Sequence, residues 1–167
     1  GSPFHDHEKH PTQHLTTSGI LAVSSNTGTI KVGETMSHDT LYNYLTKFGI
    51  GSKTGSGLPG ESAGLLRPVS NWSGTTAPTV AFGQGYSVTA MQATSVFATI
   101  ANNGVRVSPT VIAGTSDSSG HFTPTANRSS ERVVSEDTAI KLRLMMESVV
   151  SAQGTAPSAA IPGYRVA

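Results

Sequence analysis

The tripeptide Ser24-Ser25-Asn26 closes an apolar stretch, Ile20-Leu21-Ala22-Val23, and sets two hydroxyls beside a carboxamide. Such a group can present a hydroxyl and an amide on one face of a cleft, the hydroxyl relaying protons and the amide orienting a substrate carbonyl. Taken alone, the tripeptide reads more simply as a helix end, because Ser and Asn satisfy backbone groups at helix termini. His5, Asp6, His7, Glu8, His10 and His14 form the densest set of metal-ligand types, and His5 and His7 could chelate zinc with His10 or His14. Their spacing matches no recognised site, so a solvated, His-rich loop is expected and no metal is assigned.

Two further combinations imitate reactive sites. Lys53-Thr54-Gly55 offers a cation and a hydroxyl of the kind that a strand edge can set against a substrate carboxylate. It follows a helix stop and enters a Gly/Pro-rich stretch, so the match is taken as coincidence. Thr138-Ala139-Ile140-Lys141 has the spacing of a nucleophile and its lysine, but Thr138 falls in the first turn of a surface helix.

The elements that must carry these residues follow from capping and periodicity. Residues 5–14 are polar, contain Pro11 and read as a loop. Thr16 and Thr17 can cap the apolar stretch that runs into Ser24. Ser37 precedes Leu41, Tyr44, Leu45 and Phe48 at helical spacing, and Gly49 supplies a left-handed stop. From Ile50 to Ser87, glycines and prolines interrupt every period and predict a long irregular crossing, which in a small domain signals a functional surface or a missing neighbour. Thr89-Ala90-Met91-Gln92 spells a capping box before Val96, Phe97 and Ile100, and Asn103-Gly104 ends that helix. Val105-Arg106-Val107, Thr110-Val111-Ile112 and Arg132-Val133-Val134 have the composition of short antiparallel strands, with a turn at Asp117-Ser118-Ser119-Gly120. Ser135 caps a helix carrying Ile140, Leu144 and Val149, with Glu136 and Asp137 complementing its N-terminus. After a loop from Gly154 to Pro162, Tyr164-Arg165-Val166-Ala167 reads as the start of a strand.

Composition excludes several classes. One core is expected from 167 residues. Charged residues make up 13% against about a quarter in a typical domain, and the formal net charge of +1 offers no basic surface, so nucleic acid is not an expected partner. No run of about 18 apolar residues suits a membrane span, so the piece is expected to be soluble. With no cysteine, disulfides, thiolate nucleophiles and Cys-based zinc sites are excluded. Gly1-Ser2 reads as an expression scar, which places the chain boundaries at a cloning choice.

Several separate motifs, in order, resemble the transpeptidase domain of class B penicillin-binding proteins, specifically the division-type group around FtsI, also called penicillin-binding protein 3. They are the approach from Asp6 through Leu15-Thr16 and Gly19-Ile20-Leu21 to Ser24-Ser25-Asn26-Thr27-Gly28; Phe48-Gly49-Ile50-Gly51 with Thr54-Gly55; and Leu58-Pro59-Gly60-Glu61-Ser62-Ala63-Gly64. Ala81-Phe82-Gly83-Gln84-Gly85-Tyr86, Val88-Thr89, Gln92 and Ala101-Asn102-Asn103-Gly104 continue the series. The ordered series outweighs the bland reading of Ser24-Ser25-Asn26.

The resemblance implies an α+β fold of the penicillin-binding-protein and serine β-lactamase type, here mostly its helical part with few short strands. It implies a peptidoglycan D,D-transpeptidase: a serine of a Ser-x-x-Lys motif attacks the D-Ala-D-Ala stem peptide, and a neighbouring strand's amine captures the acyl-enzyme in septal wall synthesis. β-Lactams trap the same serine, and no cofactor is implied. By this resemblance Ser24 is the catalytic proton relay, Asn26 binds the acyl side chain, and Ser25 is the variable middle position. The parent protein would be anchored in the cytoplasmic membrane with this domain outside it, among division-machinery partners.

The departures are equally definite. The residues three before Lys9, Lys31, Lys47, Lys53 and Lys141 are Asp6, Gly28, Tyr44, Ile50 and Thr138, so no Ser-x-x-Lys exists, and the family's Lys-Thr-Gly would follow Ile161-Pro162-Gly163-Tyr164-Arg165-Val166-Ala167. Residues 3–167 are therefore expected to be the part of the domain between those two motifs, inactive by itself, because a nucleophile needs its base within reach. The uncovered apolar helix faces predict self-association. The alternatives are a β-lactam sensor or elongation-type relative, or a non-catalytic interaction module of the same fold.

Overall fold

Hydroxyl side chains start most of the helices in the computed structural model, which describes residues 4–125 and 129–167. Helix α1 spans Thr17–Ala22, α2 Asn26–Gly33 and α3 His38–Lys47, with Thr16, Ser25 and Ser37 at their N-caps. Each cap oxygen accepts the N–H three residues on, which satisfies a donor that the first helical turn leaves without a partner. Gly49 then takes φ 93°, a left-handed value that ends α3 as the sequence predicts.

The crossing after α3 is less irregular than its composition suggests. Helix α4 forms over Thr76–Ala81, and a single 3-10 turn spans Val69–Asn71. Pro78 is the third residue of α4, a first-turn position where the missing N–H costs no helical hydrogen bond. Leu65 and Ser87 pair as an isolated antiparallel bridge that closes the crossing on itself. Gly64 (φ 68°) lies so near the Ser87 carbonyl that a Cβ there would overlap it.

Helix α5, Ala90–Ala101, begins with the full Thr89–Gln92 capping box. Gln92 also serves the crossing: its Nε2 lies within hydrogen-bond distance of the Gly49, Ser52 and Ala63 carbonyls at 3.3, 2.8 and 2.9 Å, and its Oε1 accepts the Thr89 N–H at 2.8 Å. One buried amide thus satisfies backbone groups that no regular element pairs. Asn103 (φ 53°) and Gly104 (φ 82°) stop the helix. At that end the Arg143 guanidinium donates to the Ile100 and Ala101 carbonyls at 2.8 and 3.2 Å, a cation at the negative end of the helix dipole.

The strands are short and paired in twos. Strand β1 (Val105–Val107) runs antiparallel to β4 (Ser130–Arg132), with Arg106 opposite Glu131, and β2 (Gly114–Ser116) pairs with β3 (Phe122–Pro124). The turn at Asp117-Ser118-Ser119-Gly120 joins β2 to β3, its Asp117 Oδ1 accepting the Ser119 and His121 N–H groups. Three expected strands are corrected. Thr110-Val111-Ile112 bends because the Thr110 hydroxyl accepts the Ile112 N–H, and the strand starts only at Gly114. The strand expected at Arg132-Val133-Val134 sits two residues earlier, and Val133 instead buries its side chain. Tyr164-Arg165-Val166-Ala167 is irregular, with no ladder partner among the described residues.

Helix α6, Glu136–Met146, is capped by Ser135, and Val149 falls beyond it in a 3-10 turn, Glu147–Val150. The core is a thin seam of Ala22, Ile30, Ile50, Val80, Ile100, Val133 and Ala139. Phe97 on α5 and Ile140 and Leu144 on α6 stay outside it, 59%, 40% and 53% exposed. The helix-rich α+β architecture with few short strands is the one expected. The dipeptide Gly1-Ser2 lies outside the described residues.

Candidate functional site

The Ser24-Ser25-Asn26 tripeptide is the hinge between two short helices. The Val23 and Ser24 N–H groups close α1 by donating to the Gly19 and Leu21 carbonyls at 3.1 and 3.2 Å. Ser24 then turns left-handed at φ 54°, a conformation that costs a non-glycine residue of order 1 kcal/mol and tends to persist where a site needs it. Ser25 opens α2, its Oγ accepting the Gly28 N–H at 3.0 Å. A Cβ on Gly28 would stand 2.8 Å from Ile20 Cγ1, so α1 and α2 approach closely enough that only glycine fits there. Asn26 is the first residue of α2, and its Nδ2 donates to the His5 carbonyl at 3.0 Å.

The hinge is held from outside by Asp6. Asp6 Oδ2 accepts from Ser25 Oγ at 2.8 Å, and Oδ1 accepts from the Thr27 N–H at 2.8 Å and the Thr27 hydroxyl at 3.1 Å. The His10 Nε2 reaches the same carboxylate at 2.9 Å, with the side chain of Asp6 only 10% exposed. Partial burial pushes this carboxyl upward, but the Thr27 N–H, the Ser25 hydroxyl, the His10 ring and the Thr27 hydroxyl together outweigh it and hold its pKa down at about 2. Both His10 ring nitrogens face acceptors, Pro11 O at 2.8 Å and Asp6, so the pair of contacts suits the imidazolium. The Pro11 carbonyl first, and then Asp6, raise its pKa above the usual histidine value.

The consequence is an alternation along the hinge. Ser25 and Thr27 face Asp6, whereas Ser24 and Asn26 line an open cleft of about 660 Å³. Its other walls include His7, Lys9, Gln153 and Thr155. The Thr155 N–H donates to the Ala22 carbonyl at 2.9 Å, fastening the loop after α6 to the end of α1. The structure therefore brings the two expected site residues to one surface, one offering a hydroxyl and the other a carboxamide. Asp6 stands at the start of the motif series that leads to the tripeptide, but nothing in the sequence marks it as the residue that grips the hinge, and Gln153 and Thr155 carry no sequence signal at all, since only the packing of α1 on α6 and the turn after it brings them near.

The other candidates fall away from the cleft. Glu61 takes up the Lys53-Thr54-Gly55 turn, accepting the Thr54 hydroxyl and the Thr54 and Gly55 N–H groups, the latter two at 2.8 and 3.1 Å. Those contacts, the Thr54 hydroxyl first, lower the pKa of Glu61, and the turn has no free hydroxyl for a substrate carboxylate. Thr138 meets the Ser135 hydroxyl at 2.8 Å, and Lys141 pairs with Asp137 at 2.7 Å on an exposed face. Of the His-rich segment, His10 is the histidine tied to Asp6, and among the described residues no group of His, Asp and Glu is arranged to hold a metal. No helix of the described residues is long and apolar enough to cross a membrane.

Comparison with known proteins places the chain in a family. The family described as the penicillin binding protein transpeptidase domain matches residues 1–167. The chain is 42% identical over 173 aligned residues to the penicillin-binding protein PbpB of Mycobacterium tuberculosis, covering 100% of this chain and 26% of that protein. It is 35% identical over 160 residues to the peptidoglycan D,D-transpeptidase FtsI of Escherichia coli, covering 92% of this chain and 24% of that protein. Its fold superposes on penicillin binding protein 3 of Mycobacterium tuberculosis, solved with aztreonam and with ampicillin, at a TM-score of 0.93 and 42% identity, covering 96% of this chain and 37% of that one. The chain thus spans about a quarter of the length of the curated relatives it matches.

Proposed function

The chain belongs to the penicillin-binding-protein transpeptidase domain family, and from that premise we propose that it forms part of a division-type peptidoglycan D,D-transpeptidase whose cleft it lines with Ser24 and Asn26. The observation that carries this reading is the alternation at the hinge, which turns Ser24 and Asn26 together toward the cleft. The division type rests on Leu58-Pro59-Gly60-Glu61-Ser62-Ala63-Gly64 and on the resemblance to FtsI and PbpB.

In this reading a serine supplied by a Ser-x-x-Lys motif outside these residues attacks the penultimate D-Ala carbonyl of a stem peptide. The C–N bond to the terminal D-Ala breaks, and the serine proton travels through the Ser24 hydroxyl to the departing amine. An amine of a neighbouring strand then attacks the ester, a new amide forms and the serine regains its proton. Asn26 holds the acyl side chain through its carboxamide. A β-lactam enters the same first step and stops there. The exposed side chains of Phe97, Ile140 and Leu144 support a further part of the same domain packing over α5 and α6. The protein works outside the cytoplasmic membrane, where peptidoglycan is built, anchored to that membrane and with partners in the division machinery.

Labelling with a fluorescent penicillin followed by intact-mass measurement tests the assignment, on this chain and on the longer protein that carries it. The longer protein is expected to gain one penicilloyl mass and this chain none, and Ser24→Ala in the longer protein is expected to slow labelling at least a hundredfold. A longer protein that takes no label, or a Ser24→Ala variant labelled at the unaltered rate, overturns it.

A further inference from the structure

We infer that the pocket enclosed by α2, α3 and α4 is a docking site for a lysine or arginine side chain of a partner protein, its stem on the apolar walls and its cationic head at Glu34. The inference stands apart from the roles proposed above for Ser24 and Asn26, because the pocket lies at the opposite end of α2 from the hinge. A cavity of about 240 Å³ opens between the last turn of α2, the start of α3 and the first turn of α4. Small residues shape it. A Cβ on Gly33 would stand 3.0 Å from the Ala81 Cβ, so α2 and α4 touch there, and the small side chain of Ala77, one turn before Ala81, leaves the space beside that contact open. Ile30, Met36, Leu41 and Pro78 supply the rest of the apolar wall. Drug-sized ligands fill about 300–1,000 Å³, so this volume suits one long side chain rather than a larger ligand.

The charge of the occupant follows from Glu34. It lines the pocket, is exposed to solvent and, among the described residues, is paired with no cation, Lys31 one turn earlier included. Glu34 is also the C-cap of α2, so its carboxylate stands at the negative end of the helix dipole, where a cation is favoured and an anion is not. Carboxylate and dipole act in the same sense. The neighbouring positive end of α3 is already met by the Ser37 hydroxyl and by Asp39 in its first turn. His38 lines the cavity with its ring 5.5 Å from that of Trp72, and Tyr42 lies 6.5 Å from Trp72, which adds aromatic surface of the kind that cations favour. Lysine and arginine carry an apolar stem under a cationic head, and the walls match both parts.

The test is methyl NMR of the longer protein that carries this chain, with its methionine methyls labelled and the Met36 signal assigned through Met36→Leu. n-Pentylammonium, a lysine head and stem without a backbone, is expected to shift that signal saturably, with a dissociation constant on the order of 1 mM for so few atoms. Pentanoate, of similar size and opposite charge, is expected to bind at least tenfold more weakly. Glu34→Gln should weaken the binding of pentylammonium at least threefold, and Ala77→Leu, which fills the cavity, should abolish the shift. N-acetyl-lysine methylamide, the side chain in its peptide setting, should shift the same methyl. Absence of any Met36 shift overturns the inference, as does equal binding of pentanoate or an unaltered affinity in Glu34→Gln, the variant that decides if Ala77→Leu does not fold. Binding of pentylammonium without N-acetyl-lysine methylamide overturns the docking role, because the pocket would then take a free amine.

Discussion

Ser25 Oγ donates to Asp6 Oδ2 at 2.8 Å across 19 residues of sequence, and this contact joins the polar N-terminal segment to the first turn of α2. It ties the middle residue of Ser24-Ser25-Asn26 to the N-terminal segment, while Ser24 and Asn26 line the cleft, Asn26 with its Nδ2 on the His5 carbonyl.

Acid should weaken the Asp6 tie within a definite window. The folded pKa of about 2 lies below the ordinary aspartate value of 3.8, so the stabilisation is present above pH 4 and is lost as pH falls through 2. At 1.36 kcal/mol per pKa unit this amounts to about 2 kcal/mol. Denaturant unfolding of the protein and of Asp6→Asn between pH 2 and pH 6 should show the gap closing toward the acid end. A gap that is constant with pH would show that the carboxylate's charge contributes nothing.

Ser24→Gly should separate stability from activity. Glycine adopts φ near 54° without penalty, so relief of strain is expected to offset the added freedom of the unfolded chain and leave stability within about 1 kcal/mol. Penicillin acylation of the longer protein should nevertheless fall as far as in Ser24→Ala, because the hydroxyl is gone. Thermal unfolding and labelling on the same sample check both halves.

Gln92→Leu should be among the most damaging single changes in the chain. The side chain is 1% exposed, and replacing it strands the Gly49, Ser52 and Ala63 carbonyls that Nε2 now serves. Leaving buried polar groups unpaired costs about 1–3 kcal/mol each where water cannot reach them, so a loss of at least about 3 kcal/mol is expected in urea unfolding. A loss below 1 kcal/mol would mean that water replaces the amide.

The 167-residue chain should self-associate through α5 and α6. Phe97 and Leu144 are more than half exposed, and Ile140 lies one turn before Leu144 on α6. Sedimentation velocity is expected to show a concentration-dependent oligomer that Phe97→Ser with Leu144→Glu reduces to monomer. A monodisperse monomer at every concentration loaded would count against it.

Local chemistry determined much of this protein from the sequence alone. The caps at Thr16, Ser37, Thr89 and Ser135 and the stops at Gly49 and Asn103-Gly104 act within one helical turn, so their donors and acceptors are near neighbours in sequence and can be read there. The order of the motifs around Ser24-Ser25-Asn26 likewise pointed to the family that matches the whole chain. Helix α4 is hidden in the sequence because Pro78 signals a break, although in a first turn it breaks nothing. Strand β1 falls where its composition predicts, whereas the strand expected at Arg132-Val133-Val134 is displaced by two positions because a ladder is set by its partner, and Ser130 pairs with Val107, far back along the chain. Which hydroxyls of the hinge are tied was decided by tertiary structure alone. Ser24, Ser25 and Asn26 are near equals as residue types, and only the carboxylate of Asp6, brought back across the N-terminus of α2, ties the Ser25 hydroxyl, while Ser24 and Asn26 line the cleft and Asn26 is tied by the His5 carbonyl.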